Sequence, residues 1–265
     1  MRNNQKPIFI IGCPRSGTTL VRVILDSHPH ICCGPEMHVI NALQTCQQQI
    51  MSHWKQLKPY GVSKDDFNKT VSKMYTVFLN QYITDKKKKR WAEKTPENIF
   101  HVPFIDSLFP DCQFINVIRD GRDVVTSFKK RWGRLAIFTG LKQWNKSADL
   151  TFSFRKRFSN DRYFEVKYED LVESPERETK KMMDFLGEPW TDDLLHHQQH
   201  HHDFWFNHSK KTDTTQKKEK QPERHSPSRP IFSSSVNRWK QDLNVIEKTV
   251  VNAKIKKNLI LLGYH

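Results

Sequence analysis

Two short segments place glycines, hydroxyls and arginines at spacings suited to gripping phosphate. In the first, the apolar run 8–11 leads into Gly12-Cys13-Pro14-Arg15-Ser16-Gly17-Thr18-Thr19, and Leu20, Val23 and Ile24 then recur at helical spacing. A buried strand, a glycine loop and a helix start make an anion cradle, because loop and first-turn N–H groups converge and the helix dipole adds to the pull. Gly12 and Gly17 keep the spacing of a nucleoside-triphosphate loop, yet Thr18 stands where that loop has its lysine. Arg15 offers a cation from within the loop instead. The sequence predicts a phosphate-like group held differently from the way an ATPase holds it, with an ordinary two-glycine turn as the plain alternative.

The second segment, residues 113–128, repeats the plan with an apolar strand, a turn at Gly121 and a helix. Arg119 falls on the strand's last residue and Ser127 lies two helical turns on. Arg131 follows Ser127 by one more turn, on the same helix face. Two guanidiniums and a hydroxyl suit a second phosphate, since the arginine fork binds its oxygens in pairs. The alternative is a metal held by Asp120 with a plain surface helix behind it. Glu36 and His38, shortly after Cys33, either flank the cradle's mouth or lie in a solvated turn. Lys94 ends the strand around Trp91-Ala92-Glu93, at the edge where open α/β sheets bind their ligands.

Positioning these residues requires strands and helices in alternation, and the chain supplies them. Predicted strands at 8–11, 31–33, 91–94, 113–119 and 163–168 alternate with helices at 18–26, 97–109, 144–157 and 174–186, where Pro175 suits a first turn. The expected fold class is α/β, a three-layer P-loop-like domain with a central parallel sheet flanked by helices. Residues 1–265 read as a single such domain. It carries a helical insertion at about 39–85, broken at Pro59-Tyr60-Gly61, and a flexible polar loop at about 207–230. Residues 86–90 read as an exposed charged loop. The stretch His196 to His202 holds histidines at i, i+4 that could bind zinc, but with no acid beyond Asp203 nearby an exposed polar helix fits better. A last amphipathic helix is expected at 244–259.

A net charge of +15 from 44 Lys+Arg and 29 Asp+Glu points to an anionic partner. Much of the excess lies in runs that solvate readily, and no nucleic-acid reader motif accompanies it, so nucleic acid is not expected. No apolar stretch is long enough to cross a membrane. The N-terminus runs straight into the first strand, which leaves no signal peptide and makes cytoplasmic residence the expectation. Five cysteines without zinc-like spacing read as reduced, mostly buried thiols.

Taken together, these segments resemble a sulfotransferase that uses 3′-phosphoadenosine 5′-phosphosulfate. The loop Pro14-Arg15-Ser16-Gly17-Thr18-Thr19-Leu20 is similar to the family's 5′-phosphosulfate loop, and the segment from Arg119 to Arg131 to its 3′-phosphate site. The serine-rich stretch leading to Arg238-Trp239-Lys240 is similar to the segment that closes over the nucleotide. The run Arg15-Ser-Gly-Thr-Thr-Leu, then Leu25-Asp26-Ser27-His28-Pro29, then Cys33-Gly34-Pro35-Glu36 resembles the tyrosylprotein enzymes most. Glu93-Lys94-Thr95-Pro96 is like the heparan-type enzymes. His38 stands where tyrosylprotein enzymes carry an arginine, Pro35 replaces an acid, and no counterpart of their membrane anchor is expected.

The resemblance implies an enzyme that moves a sulfuryl group from 3′-phosphoadenosine 5′-phosphosulfate to an acceptor hydroxyl, of a peptide tyrosine, a sugar or a small molecule, without a metal. Glu36 would be the general base, with Glu93 the next candidate, and Lys94 and Arg15 would stabilise the transition state. Arg15, Ser16, Gly17, Thr18 and Thr19 would hold the 5′ end and Arg119, Ser127 and Arg131 the 3′-phosphate, with Tyr168 and Arg238 as further nucleotide contacts. A homodimer is one state open to it. Two rivals remain on the residues alone: a P-loop kinase of small molecules that needs ATP and magnesium, and a basic nucleic-acid-binding module.

Overall fold

A computed structural model describes residues 6–203 and 229–265. Five strands, β1 (Ile8–Gly12), β2 (Ile31–Cys33), β3 (Arg90–Lys94), β4 (Gln113–Ile118) and β5 (Tyr163–Lys167), form one sheet in the order β2-β3-β1-β4-β5. Every pairing is parallel. Such sheets are covered on both faces, which is why their strands read as apolar runs. Alternate residues of β1 point to opposite layers. Phe9 and Ile11 join Tyr75, Trp91, Phe109, Phe114 and Phe154 on one side, while Ile8 and Ile10 join Val21, Ile24, Ile115, Val166, Met182 and Leu186 on the other.

Helix α1 (Thr18–Ser27) follows β1. Between β2 and β3 run α2 (Ile40–Ser52), α3 (Trp54–Leu57) and α4 (Lys64–Lys86), with Gly61 in the left-handed region at the expected break. Helix α4 buries Val71, Tyr75 and Leu79 on the Phe9 face, so this excursion covers one side of the sheet. After β3 a 3-10 turn, Pro96–His101, precedes α5 (Val102–Leu108), and α6 (Gly121–Trp132) follows β4. Helix α7 (Ala136–Arg157) begins about two turns before its predicted start, because Ile137 and Leu141 already pack into a third cluster with α6 and the C-terminal helix Val245–Leu261. Helices α8 (Tyr168–Glu173) and α9 (Pro175–Leu186) follow β5, and α9 stops on a left-handed Gly187 as its sequence demands. Tyr168 opens α8 instead of ending β5, and Arg119 lies one residue beyond β4.

Two expectations need correction. The exposed loop expected at 86–90 is confined to 87–89, where Lys87 and Lys89 are exposed: Arg90 opens β3, is buried, and donates to the carbonyls of Lys6 at 2.6 Å and Leu186 at 2.9 Å. Lys88 donates to the His28 carbonyl at 2.6 Å. The stretch 196–202 is not an exposed helix either. Its only helical piece is a 3-10 turn at His197–Gln199, and His197 and His202 are buried. His202 bridges Asp26 at 2.6 Å and the His197 carbonyl at 2.9 Å. The polar loop expected at 207–230 lies, except for its last two residues, outside the described residues.

The start of α6 is packed against α7 as tightly as two helices allow. A Cβ added at Gly121 would meet Trp144 ring atoms at 2.6 Å and Ile255 at 2.8 Å. Gly121→Ala should therefore destabilise the protein by ~2 kcal/mol despite alanine's better helix propensity. Urea denaturation checks this, and an unchanged or raised midpoint would contradict the packing.

Candidate active site

The sheet's register lines up the carboxyl ends of all five strands. Ile10 pairs with Lys94, Gly12 with Val117, Cys33 with Ala92 and Ile118 with Lys167. The residues that follow each strand therefore face one crevice: the 13–17 loop, the 34–38 turn, Thr95, Arg119 and Tyr168. The chain reverses its direction of winding between β1 and β4, and open α/β sheets bind ligands at such a point.

The loop after β1 is tight. Ser16 N donates to the Cys13 carbonyl at 3.1 Å, and Arg15 and Gly17 both adopt left-handed φ, 75° and 97°. Gly17 is required there for space as well as for φ, since a Cβ would meet the Tyr168 ring at 2.3 Å. Thr18 and Thr19 open α1, so their N–H groups have no carbonyl one turn back to bond. Ser16 Oγ is buried with no hydrogen-bond partner among the described residues, and so is Arg119 Nε. Unsatisfied donors around a glycine loop suit an anion.

The two arginine segments meet. Arg15 Nε donates to Ser127 Oγ at 2.9 Å, Arg119 Nη1 donates to the Arg15 carbonyl at 3.2 Å, and the Arg119 guanidinium lies 4.3 Å over the Tyr168 ring. Burial, then Arg131 and Arg119, lower the proton affinity of Arg15. Arg131 is itself exposed at the crevice's rim. Asp120, the metal alternative, has both oxygens on Arg122, at 2.7 to 3.1 Å. Arg238 lies near Asp242 at 3.5 Å, in a segment whose Ser235 carbonyl accepts from Arg119 at 2.6 Å.

Across the crevice, Lys94 Nζ reaches Glu36 Oε1 and donates to Thr19 Oγ1 at 3.3 Å, and His38 Nε2 lies 3.0 Å from Glu36 Oε2. Glu36 thus sits at the mouth with its side chain 30% exposed, and His38 lies beside it on the solvent side, 60% exposed. Glu93 is 2% exposed, and its oxygens accept from Thr95 at 2.5 Å and Asn98 at 2.6 Å. Burial pushes its carboxyl up to about 7, against these bonds and that of the Met37 N–H.

Some contributors were not foreseen. Asp123 accepts the N–H groups of Asn237 at 2.8 Å and Trp239 at 2.9 Å, which pins the 235–239 segment to α6. Glu169 accepts the Asp120 N–H at 3.0 Å and the Tyr264 hydroxyl at 2.8 Å. No local pattern distinguishes such acids from ordinary first-turn helix carboxylates. Elsewhere, His28, His30 and Glu188 bring metal-type side chains together. His30 bonds Glu188 at 3.0 Å and meets Lys89 at 3.2 Å, while His28 meets the Pro189 carbonyl at 2.8 Å, so the group acts as a tie between β2 and the end of α9.

A parallel sheet covered by helices, with a glycine loop after its central strand and an arginine-bearing turn after the next, defines a protein of the P-loop-like α/β class. Residues 7–192 match the model of the sulfotransferase family, and the chain belongs to that family. Over 73% of its length it is 31% identical to the protein-tyrosine sulfotransferase of Drosophila melanogaster and 30% identical to protein-tyrosine sulfotransferase A of Caenorhabditis elegans. These matches cover 40% and 53% of those proteins, so the chain spans about half the length of the curated relatives it matches. In fold it is similar to the sulfotransferase domain of the Synechococcus PCC 7002 olefin synthase, with a TM-score of 0.67 and 19% identity over 99% of this chain and 96% of that one. Mouse sulfotransferase SULT7A1 complexed with PAP gives 0.53 and 15%, over 98% and 86%.

The buried Glu93 has a consequence for stability. Between the ordinary value of 4.5 and about 7 the folded chain keeps a proton that the unfolded chain has released. Its contribution is full below about pH 4.5 and is lost as pH rises to about 7. Glu93→Gln should remove roughly 3 kcal/mol of pH dependence over that window. Denaturation of both proteins at its two ends measures it, and parallel pH curves would contradict the assignment.

Proposed function

We propose that this chain transfers a sulfuryl group from 3′-phosphoadenosine 5′-phosphosulfate to an acceptor hydroxyl. One observation carries the reading. Arg15 of the phosphate loop bonds Ser127 at 2.9 Å and takes Arg119 on its carbonyl at 3.2 Å, so two anion sites share one crevice with the Glu36–Lys94 pair. A nucleotide with phosphates on both its 5′ and 3′ carbons suits paired sites, whereas ATP offers nothing to the second. The loop also lacks the lysine that a γ-phosphate requires.

When bound, the donor supplies a sulfuryl group already activated by its 5′-phosphate. Glu36 takes the acceptor's proton as the oxygen–sulfur bond forms and the sulfur–oxygen bond to the phosphate breaks, releasing adenosine 3′,5′-bisphosphate. Lys94, Arg15 and the main-chain N–H groups of 16–19 offset the charge that collects on the leaving oxygen. Arg119, Ser127 and Arg131 hold the 3′-phosphate, and Tyr168 and Arg238 flank the nucleotide. Glu36 is favoured over Glu93 as the base because its side chain is 30% exposed and Glu93 is sealed beneath it. Likeness to protein-tyrosine sulfotransferases favours a peptide tyrosine as acceptor.

Calorimetry tests the donor: adenosine 3′,5′-bisphosphate should bind well and ADP poorly, and the reverse order would favour the kinase. Arg119→Ala should weaken the bisphosphate while hardly changing an analogue without the 3′-phosphate; equal losses refute the 3′ assignment. Glu36→Gln should lower turnover by roughly a hundredfold or more with nucleotide binding intact, and full turnover would remove Glu36 from its role.

A further inference from the structure

We infer that Glu93 is a positioning residue for the base: its buried carboxyl fixes the 34–38 turn by accepting the Met37 N–H, and so holds Glu36 against Lys94. The inference rests on the sulfuryl-transfer reading above. The turn needs such a tie. Pro35 has no N–H to give, and among the described residues 35–38 take part in no main-chain to main-chain hydrogen bond. Strand β3 supplies the hold with two consecutive residues, whose side chains point to opposite faces of the sheet. Lys94 reaches Glu36 from the α1 side, where it also bonds Thr19 Oγ1 at 3.3 Å. Glu93 takes the next residue of the turn, Met37, from the side of Trp91 and Tyr75. Two successive side chains of one strand grip two successive residues of the turn.

The chemistry at position 93 matches that task. The carboxyl is 2% exposed and faces three donors, Thr95 Oγ1 at 2.5 Å, Asn98 Nδ2 at 2.6 Å and the Met37 N–H. Thr95 and Asn98 belong to the segment after β3, so they fix the carboxyl and the carboxyl fixes the turn. An apolar residue there would leave three donors without an acceptor. Glutamine would offer one oxygen and set its NH2 group against another donor. Burial, and after it the nearby Glu36 charge, oppose an ion at this place, so filling space alone would not call for an acid. Sealed beneath Glu36, Glu93 acts on the reaction through its neighbour in space. The leverage is large, because an error of about 1 Å in a reacting group can cost about a hundredfold in rate.

The experiment compares kcat at saturating donor and acceptor in the wild type, Glu93→Gln and Glu93→Met, each alone and combined with Glu36→Gln. Glu93→Met keeps the volume and removes both oxygens. It should lower kcat by about tenfold or more, and Glu93→Gln by less. Calorimetry should find adenosine 3′,5′-bisphosphate bound as in the wild type, since the cradle stands on β1 and β4. In the Glu36→Gln background neither change should lower turnover further, because each acts through Glu36. A wild-type kcat in Glu93→Met, an equal fold-loss in both backgrounds, or a matching loss of bisphosphate affinity overturns the inference. So does a Glu36→Gln rate at the wild-type level beside an abolished Glu93→Gln rate, which makes Glu93 the base itself. A second readout needs no turnover. Hydrogen exchange of the Met37 amide, taken relative to the Val117 amide of β4, should quicken by about tenfold in Glu93→Met, and an unchanged ratio overturns the tie. A chain that turns over no donor defeats the sulfuryl-transfer reading, while the Met37 exchange still decides the tie.

Discussion

Like charges gathered in one crevice are the constraint to which the rest of the structure answers. Arg15, Arg119 and Arg131 are close enough that the latter two lower the proton affinity of the first. Such a cluster invites carboxylates, which would cancel the charge an anion needs. At Arg119 the fold avoids this. Its guanidinium donates to the carbonyls of Arg15 and Ser235 and stacks on Tyr168. The nearby acids Asp123 and Glu169 give their oxygens to main-chain N–H groups of Asn237, Trp239 and Asp120. Where arginine is structural, by contrast, it meets acids: Arg122 pairs with Asp120 and Arg90 with Glu188. Neutral acceptors orient a guanidinium without quenching it.

This arrangement depends on chain segments far apart in sequence arriving at one sheet edge. The parallel register sets the loops after β1, β3 and β4 side by side. The C-terminal part then completes the wall: Asp123 ties residues 237–239 to α6, and Trp239 lies 4.3 Å from the Arg122 guanidinium. Tyr168 serves twice, filling the space that Gly17 leaves open and supporting Arg119 from beneath. Glycine at 17 and an aromatic ring at 168 are thus one packing decision.

The strand–turn–helix geometry around 12–19 and 118–131 and the place of Lys94 at the end of β3 were legible in the sequence, because each is a local pattern set by its own residues. The misread parts depend on distant partners. Arg90 looks like one cation in a charged run until the carbonyls of Lys6 and Leu186 close around it. His202 looks solvated until Asp26 arrives from α1. The start of α7 was missed because its helical form is fixed by burial against α6 and the C-terminal helix and not by its own periodicity. Spacing marks what a segment can bind; it does not record which remote backbone will satisfy a buried charge.

The proposed base and the proposed donor loop stand on different supports. The cradle grows from β1 and β4 at the centre of the sheet, where strands are held on both sides. Glu36 and His38 hang from β2, a three-residue edge strand. That edge is steadied by Arg22 on the Cys33 carbonyl at 3.0 Å and by Asp26, which accepts the Cys33 N–H at 2.8 Å and pairs with His202. Lys94 is the link between the halves, reaching Glu36 on one side and Thr19 on the other. A substitution in the 34–38 turn can therefore change how the base is poised, and what it faces, while the phosphate cradle keeps its shape. The histidine at position 38 is a change of that kind, placed where the fold can absorb it.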